Sequence, residues 1–210
     1  MRGRFSPTAT IQMIYILPGM GADSGMYPGP WQTLPGARFI EWPAYQGEHS
    51  LEEVARKIVA RYDIPKGAIV VGSSLGGMVG CEIAKIRPLE RLVLVGSAKN
   101  KEEVSDLLRM FQPLVDLAPL TLIQQASGKI PTEITRMFSH AEADFVRAMC
   151  RAIFSWRGVD GLNVQMRRVH GRNDRVIPLP ADVDLVLKGG HLIAMTHPQD
   201  CVDFITTDLA

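Results

Sequence analysis

Three residue types that act together in nucleophilic catalysis occur in this sequence. Ser74 lies at the centre of a Gly-x-Ser-x-Gly motif within the stretch VVGSSLGGM at 70–78. Asp174 and His191 follow much later, in VHGRNDRVIP and LVLKGGHLIAM. A serine hydroxyl is a poor nucleophile until a base removes its proton, and that base needs an acid to orient it. The three residues therefore indicate attack by a serine as the candidate chemistry.

Only one of the two adjacent serines has glycines at the required spacing. The frame centred on Ser74 has glycine at 72 and 76, whereas the frame centred on Ser73 has neither. Where a strand turns sharply into a helix, the two come so close that neighbouring positions cannot carry side chains. The apolar run AIVV precedes the motif and the helical pattern LGGMVGCEIAKI follows it. This context predicts a serine held on a tight strand-to-helix turn.

A glycine-rich turn before a helix has two other common uses. The serine side chain can cap the helix without any part in catalysis. The turn can also hold a phosphate group, but that use needs a Gly-Lys-Ser/Thr ending or three glycines in dinucleotide spacing, and neither is present. On the motif alone, the helix cap stays open as the alternative.

Short runs rich in β-branched residues alternate with helical patterns along the chain. The strand-like runs lie at 12–17, 37–42, 68–72, 91–96, 163–171 and 183–190. Continuous apolar runs of this kind are typical of strands that are covered on both faces. Helices are predicted at 51–62 after the capping box of Ser50 and Glu53, at 75–86, and from Pro198 onward. The alternation predicts an α/β fold with a mostly parallel, doubly wound sheet of about six strands.

This fold brings the candidate residues to one edge of the sheet. The carboxyl ends of parallel strands meet at the same edge, where ligand sites of open α/β sheets lie. Ser74, Asp174 and His191 each follow directly after a strand-like run. We therefore expect their side chains to lie close together.

Residues 101–156 interrupt the alternation with helical patterns and no strand pattern. One candidate helix is EEVSDLLRMF, and another is AEADFVRAMCRAIF, which Ser139 and Glu142 are expected to cap. We expect a single domain over residues 1–210 in which this insert forms a helical cap above the site. Extra helices that only stabilise the fold are the alternative.

Composition and charge argue against several other classes of protein. The formal net charge is +1 and no run of basic residues occurs, so no nucleic-acid or membrane partner is expected. The cysteines at 81, 150 and 201 fit neither a disulfide framework nor a zinc site, and no metal or other cofactor is expected. No apolar segment is long enough to span a bilayer and no signal-peptide pattern is present, so we expect a cytoplasmic protein.

The motifs resemble those of the α/β-hydrolase fold superfamily in sequence and order. LPGMG follows the first strand, GSSLGG forms the turn at the serine, and HGRNDRVIP and GGHLIAMTHP contain the acid and the histidine. The resemblance implies that Ser74 is the nucleophile, His191 the general base and acid, and Asp174 the carboxylate that orients the imidazole. It also implies an oxyanion hole made by the backbone N–H groups of Leu75 and Met20.

The implied activity is that of a serine hydrolase acting on a small, partly apolar carboxylic ester or a related acyl compound. The reaction would pass through an acyl-enzyme on Ser74. Serine rather than aspartate at this position argues against dehalogenase and epoxide-hydrolase chemistry. Thioester and carbon–carbon bond hydrolysis stay open, because the same three residues serve them. A protein that binds or senses a small molecule on a hydrolase scaffold is the alternative from another class.

Overall fold

Six parallel strands form one sheet in the described part of the chain. The computed structural model describes residues 12–105, 142–159 and 161–207, and its strands are β1 (Ile14–Leu17), β2 (Ala37–Phe39), β3 (Ile69–Ser73), β4 (Arg91–Val95), β5 (Gln165–Gly171) and β6 (Leu185–Leu187). Their spatial order is β2-β1-β3-β4-β5-β6, and every neighbouring pair is parallel. The predicted α/β class with a parallel sheet of about six strands is confirmed.

The strand order reverses between β1 and β3. The chain moves from β1 outward to β2 on one side, and then crosses back to β3 and continues to β6 on the other side. In open α/β sheets, a crevice forms at the carboxyl ends of the strands where the order reverses. The loop after β1 and the turn after β3 therefore meet at the place where a ligand site is expected.

Helices cover both faces of the sheet. They are α1 (Leu51–Tyr62), α2 (Leu75–Ile86), α3 (Ala143–Ser155), α4 (Ile193–Thr196) and α5 (Pro198–Thr206). Successive strand residues point to opposite faces of the sheet. Tyr15 and Leu17 of β1 therefore lie in the core that α1, α2 and α3 cover. Ile14 and Ile16 lie in the core on the other face, which α5 covers. None of the helices in the described part of the chain has the length and apolar character needed to cross a membrane.

Helix α1 begins where the capping box predicts. The Ser50 hydroxyl oxygen accepts a hydrogen bond from the Glu53 N–H at 3.2 Å, and the Glu53 carboxylate accepts one from the His49 N–H at 2.6 Å. These bonds satisfy N–H groups that have no acceptor within the helix. The face that the helix buries consists of the predicted apolar positions Leu51, Val54, Ala55, Ile58 and Val59.

The predicted insert at 101–156 lies largely outside the described residues, because 106–141 are not described. Within the described part, a short 3-10 helix spans Lys101–Glu103 and α3 begins at Ala143 with Glu142 as its N-cap residue. Helix α3 thus begins two residues after the predicted pattern, and Ser139 is outside the described residues. The single domain and the cap above the site stay predictions.

An ion-pair cluster around the buried Arg168 side chain joins β5 to the loop that follows β4. The Arg168 guanidinium lies 2.6 Å from a carboxylate oxygen of Glu103 and 2.6 Å from one of Asp182, and its side chain is only 3% exposed. It also donates a hydrogen bond to the Ser97 carbonyl oxygen at 3.2 Å. A charge withdrawn from water needs such partners. The cluster therefore holds the loop after β4 in place against β5.

Replacing Arg168 by methionine should destabilise the fold. Glu103 would lose its charged partner while remaining mostly buried, so we expect the free energy of unfolding to fall by roughly 2–4 kcal/mol in urea denaturation. Arg56→Met is the matched control, because the Arg56–Glu52 pair is exposed and such pairs contribute less than about 1 kcal/mol. Equal losses in the two variants would contradict this account of the cluster.

Candidate active site

Ser74 occupies the sharp turn between β3 and α2. Its backbone φ of 50° lies in the left-handed region, which residues other than glycine rarely adopt. A methyl group on Gly72 would lie 2.3 Å from the Gly76 carbonyl, and one on Gly76 would lie 2.5 Å from the carbonyl oxygens of Leu17 and Pro18. Because these distances are far below van der Waals contact, both positions require glycine. The close packing holds the serine backbone in its strained conformation.

The Ser74 side chain does not cap the helix. Although Ser74 is the N-cap residue of α2, its hydroxyl makes no capping hydrogen bond. Instead, its Oγ lies 2.9 Å from His191 Nε2, and His191 Nδ1 lies 2.8 Å from Asp174 Oδ2. The structure therefore brings together the serine, histidine and aspartate that the sequence singled out.

The partners of the His191 ring determine where its proton lies. A carboxylate can only accept hydrogen bonds, so His191 Nδ1 carries the hydrogen and donates it to Asp174. In a neutral imidazole Nε2 is then the acceptor, and the Ser74 hydroxyl donates to it. This arrangement is the one needed to remove the serine proton.

The Asp174 carboxylate is buried and accepts hydrogen bonds on both oxygens. Oδ1 accepts from the N–H groups of Val176 and Ile177, each at 2.9 Å. Oδ2 accepts from His191 and lies 3.3 Å from His170 Nε2. Burial by itself raises the pKa of Asp174, but the hydrogen bonds from His170, His191 and Ile177 outweigh it and hold the pKa well below its usual range. The carboxylate is therefore charged at neutral pH.

His170 is a second histidine beside this carboxylate, a contact that the sequence did not single out. Its Nε2 lies 2.8 Å from the Ile177 carbonyl oxygen, which can only accept, so Nε2 carries a hydrogen. The same N–H faces Asp174 Oδ2, and the side chain is 1% exposed. The only sequence signal is a histidine four residues before the aspartate, at the end of β5. That spacing is too common to be diagnostic.

The loop after β4 supports the turn at Ser74. The Ser97 hydroxyl donates a hydrogen bond to the Ser74 carbonyl oxygen at 2.6 Å. Ser97 lies in the stretch GSAKN, which contains no carboxylate. Because the Ser97 carbonyl in turn accepts from Arg168, the ion-pair cluster is connected to the backbone of the candidate nucleophile.

Two backbone segments lie beside the Ser74 side chain. Leu75 is the first residue of α2, so its N–H has no acceptor within the helix. Gly19, in the loop LPGMG, passes beside the serine, since a methyl group on Gly19 would lie 3.8 Å from Ser74 Cβ. The structure therefore places the loop that contains Met20 next to Ser74 and Leu75.

The cysteines offer no competing nucleophile in the described part of the chain. Cys81 and Cys201 are buried, and burial raises the pKa of both thiols, that of Cys201 to about 12. Burial also raises the pKa of Cys150 to about 11. Among residues 12–105, 142–159 and 161–207, no group of three or more His, Cys, Asp and Glu side chains could hold a metal ion.

Comparison with known proteins identifies the family. A family model described as the alpha/beta hydrolase family matches residues 14–204. The chain belongs to the α/β-hydrolase family. This membership supports its assignment as a hydrolase. No curated protein matches the chain by sequence.

Several solved structures share the fold over nearly the whole chain. An enol-lactonase from Burkholderia xenovorans LB400 has a TM-score of 0.77 and 14% identity, and the match covers 97% of this chain and 93% of that chain. An esterase from Exiguobacterium antarcticum has a TM-score of 0.75 and 13% identity, with coverage of 93% and 91%. The type II thioesterase BorB from the borrelidin biosynthetic cluster has a TM-score of 0.68 and 18% identity, with coverage of 97% and 94%. At these identities the likeness shows the fold alone.

The lowered pKa of Asp174 predicts how Asp174→Asn changes stability with pH. A carboxyl whose pKa is lower in the folded state stabilises the fold above its ordinary pKa of about 3.9, and this contribution is lost as the pH falls toward the folded value. The difference in unfolding free energy between wild type and Asp174→Asn should therefore be largest near neutral pH and shrink as the pH drops from about 5 to 3.

Urea unfolding at each pH measures this difference. Asp144→Asn is the control, because Asp144 lies on the exposed side of α3 and its pair with Arg147 is exposed, so its effect should be small throughout. A difference in unfolding free energy between wild type and Asp174→Asn that stays constant down to pH 3 would contradict the proposed hydrogen-bond network around this carboxylate.

Proposed function

We propose that the chain is a serine hydrolase that cleaves a small, partly apolar carboxylic ester, or a related acyl compound, through an acyl-enzyme on Ser74. The proposal rests on one observation above all. A continuous hydrogen-bonded chain leads from Ser74 Oγ through the His191 ring to the buried Asp174 carboxylate, with distances of 2.9 and 2.8 Å. Membership of the α/β-hydrolase family supports the same chemistry.

Acylation follows from the positions of the protons. Ser74 Oγ attacks the carbonyl carbon of the substrate while its proton moves to His191 Nε2, which gives a tetrahedral intermediate. The Asp174 carboxylate stabilises the imidazolium that forms. When the intermediate collapses, the bond to the leaving alcohol breaks, the alcohol takes the proton from Nε2, and the acyl group stays on Ser74.

Deacylation repeats these steps with water. His191 Nε2 accepts a proton from the water molecule as its oxygen attacks the acyl carbon, and the proton then returns to Ser74 Oγ as the acid leaves. In both steps the N–H groups of Leu75 and Met20 bind the oxyanion. Losing one such donor typically lowers kcat by about 10²–10³-fold.

Apolar side chains beside the LPGMG loop favour a partly apolar substrate. Trp42, Tyr45 and Phe145 form an aromatic cluster, with ring centroids of Phe145 at 5.4 Å from Trp42 and 6.4 Å from Tyr45. The Trp42 indole N–H donates to the Gly19 carbonyl oxygen, so the cluster borders the loop that lies next to Ser74. Aromatic and aliphatic walls with a few polar groups are usual for small-molecule sites.

A panel of substrates tests which type of acyl bond the protein cleaves. Lactones and thioesters have the same electrophilic carbonyl carbon as open esters, and an enol-lactonase and a thioesterase are among the structural neighbours. The panel should therefore include p-nitrophenyl esters of increasing acyl length, a lactone and an acyl thioester. Carbon–carbon bond hydrolysis is tested with a β-diketone.

Labelling with a fluorophosphonate tests whether Ser74 is activated. Peptide mass analysis of the wild type should find the adduct on Ser74, and Ser74→Ala and His191→Ala should abolish labelling and lower kcat by about 10⁴-fold or more. Ser73→Ala is the matched control, because Ser73 adjoins Ser74, is 2% exposed and lies outside the motif frame. It should label and turn over like the wild type.

Two results would contradict the proposal. The first is hydrolysis by Ser74→Ala at the wild-type rate. The second is the absence of an adduct on Ser74 in a folded wild-type protein. In that second case, a ligand that raises the melting temperature equally in wild type and Ser74→Ala, without forming product, would favour a binding or sensing protein.

A further inference from the structure

The Gly19 carbonyl oxygen accepts hydrogen bonds from two donors. The Trp42 indole N–H donates to it at 3.0 Å, and the Ala22 N–H donates to it at 3.2 Å. The bond from Ala22 closes a tight turn over residues 19–22, at the end of the LPGMG loop. The bond from Trp42 comes from a different part of the chain, the segment after β2.

The direction of this carbonyl determines the direction of the Met20 N–H. The Gly19 C=O and the Met20 N–H belong to one peptide group, which is planar and trans, so the two point in opposite directions. With the carbonyl directed at the Trp42 indole, the N–H is directed to the opposite side of the loop. A rotation of the peptide by about 180° would reverse both groups.

Such a rotation changes ψ of Gly19 and φ of Met20. Glycine tolerates a wide range of ψ because it has no Cβ, so position 19 does not prevent the rotation. Two further hydrogen bonds of this loop do not involve the Gly19–Met20 peptide. The Tyr27 hydroxyl donates to the Leu17 carbonyl, and the Gly19 nitrogen lies 3.1 Å from the Met26 sulfur. The orientation of the peptide between Gly19 and Met20 therefore depends on the two donors to its carbonyl, the Trp42 indole and the Ala22 N–H, and on the φ that Met20 adopts.

The Trp42 indole is itself fixed by its surroundings. Its ring packs against Phe145 of α3 at a centroid distance of 5.4 Å. The neighbouring Glu41 N–H donates to the Tyr62 hydroxyl oxygen of α1 at 2.9 Å. The indole is therefore a rigid donor, positioned by helices on the same face of the sheet.

We propose that Trp42 is a positioning residue of the oxyanion hole: its indole N–H fixes the Gly19–Met20 peptide so that the Met20 N–H faces the oxygen bound at Ser74. This inference rests on the proposed function for its catalytic consequence. Preorganised donors stabilise the developing charge because no reorganisation is needed during the reaction. Hydrogen bonds to the carbonyl also polarise the peptide and strengthen its N–H as a donor.

Trp42→Phe removes the donor and keeps an aromatic ring against Phe145. Since the oxyanion forms only after attack, we expect kcat for p-nitrophenyl butyrate to fall by about 10–100-fold while KM changes by less than about 3-fold. Trp156→Phe is the matched control, because the Trp156 indole N–H donates to the Glu82 carboxylate at 2.6 Å, in a buried setting away from Ser74. It should leave kcat within about 2-fold.

A reversible transition-state analogue separates an effect on the oxyanion from a general disturbance of the site. In an alkyl trifluoromethyl ketone, Ser74 Oγ bonds to the carbonyl carbon, the serine proton moves to His191, and the ketone oxygen becomes an oxyanion. Its inhibition constant in Trp42→Phe should rise by the same factor by which kcat/KM falls. Circular dichroism checks that the variant is folded, and Trp42→Leu, which also lacks a donor, replaces it if it is not.

The outcomes distinguish this inference from the proposed function. If the wild type is active and the Trp42 variant retains the kcat and inhibitor affinity of Trp156→Phe, the role of Trp42 is overturned and the proposed function stands. If the wild type neither labels at Ser74 nor hydrolyses the panel, the proposed function fails. A crystal structure of the Trp42 variant then decides the positioning role: a rotated Gly19–Met20 peptide supports it, and an unchanged peptide overturns it.

Discussion

The close approach of strand β3, helix α2 and the loop after β1 is the constraint on which the candidate site depends. Gly72 and Gly76 have no room for a methyl group, because the carbonyls of Gly76, Leu17 and Pro18 occupy that space. The turn between them forces Ser74 to a φ of 50°, a conformation that costs roughly 1–3 kcal/mol and persists only where packing imposes it. The turn holds the half-buried Ser74 with its hydroxyl next to His191 and with the LPGMG loop beside it. The same packing thus places the serine and this loop side by side.

The parallel sheet then supplies the other groups from the ends of later strands. Asp174 follows β5 and is withdrawn from water, which would disfavour its charge, but two backbone N–H groups and two histidines satisfy its oxygens. A buried, fully bonded carboxylate cannot rotate freely, so it holds the His191 ring with Nε2 directed at the serine. The Arg168 cluster performs a comparable role for the loop after β4, whose Ser97 hydroxyl bonds to the Ser74 backbone.

The sequence predicts Ser74, Asp174 and His191 because each belongs to a short local pattern. The glycines around Ser74 have a fixed spacing because strand and helix must pass each other closely, and a parallel sheet brings residues after its strands to one edge whatever the loop lengths. The contacts of Trp42 with Gly19 and of His170 with Asp174 depend on how particular loops pack, and no spacing rule specifies that. The hydrogen bond from Ser97 to the Ser74 carbonyl oxygen likewise follows from loop packing and has no signature in the stretch GSAKN. The start of α3 was predicted too early because the capping pattern at Ser139 fits the local sequence, whereas helix boundaries depend on packing.

The central claim is that Ser74 attacks an acyl carbon whose oxygen is bound by the N–H groups of Leu75 and Met20. A crystal structure of the wild-type protein after reaction with an alkyl phosphonate tests it most directly. The account predicts a covalent bond between Ser74 Oγ and phosphorus, with the phosphoryl oxygen about 2.7–3.1 Å from both backbone nitrogen atoms. An adduct whose phosphoryl oxygen faces away from these two groups would contradict the assignment of the oxyanion hole, and an adduct on another residue would contradict the account as a whole.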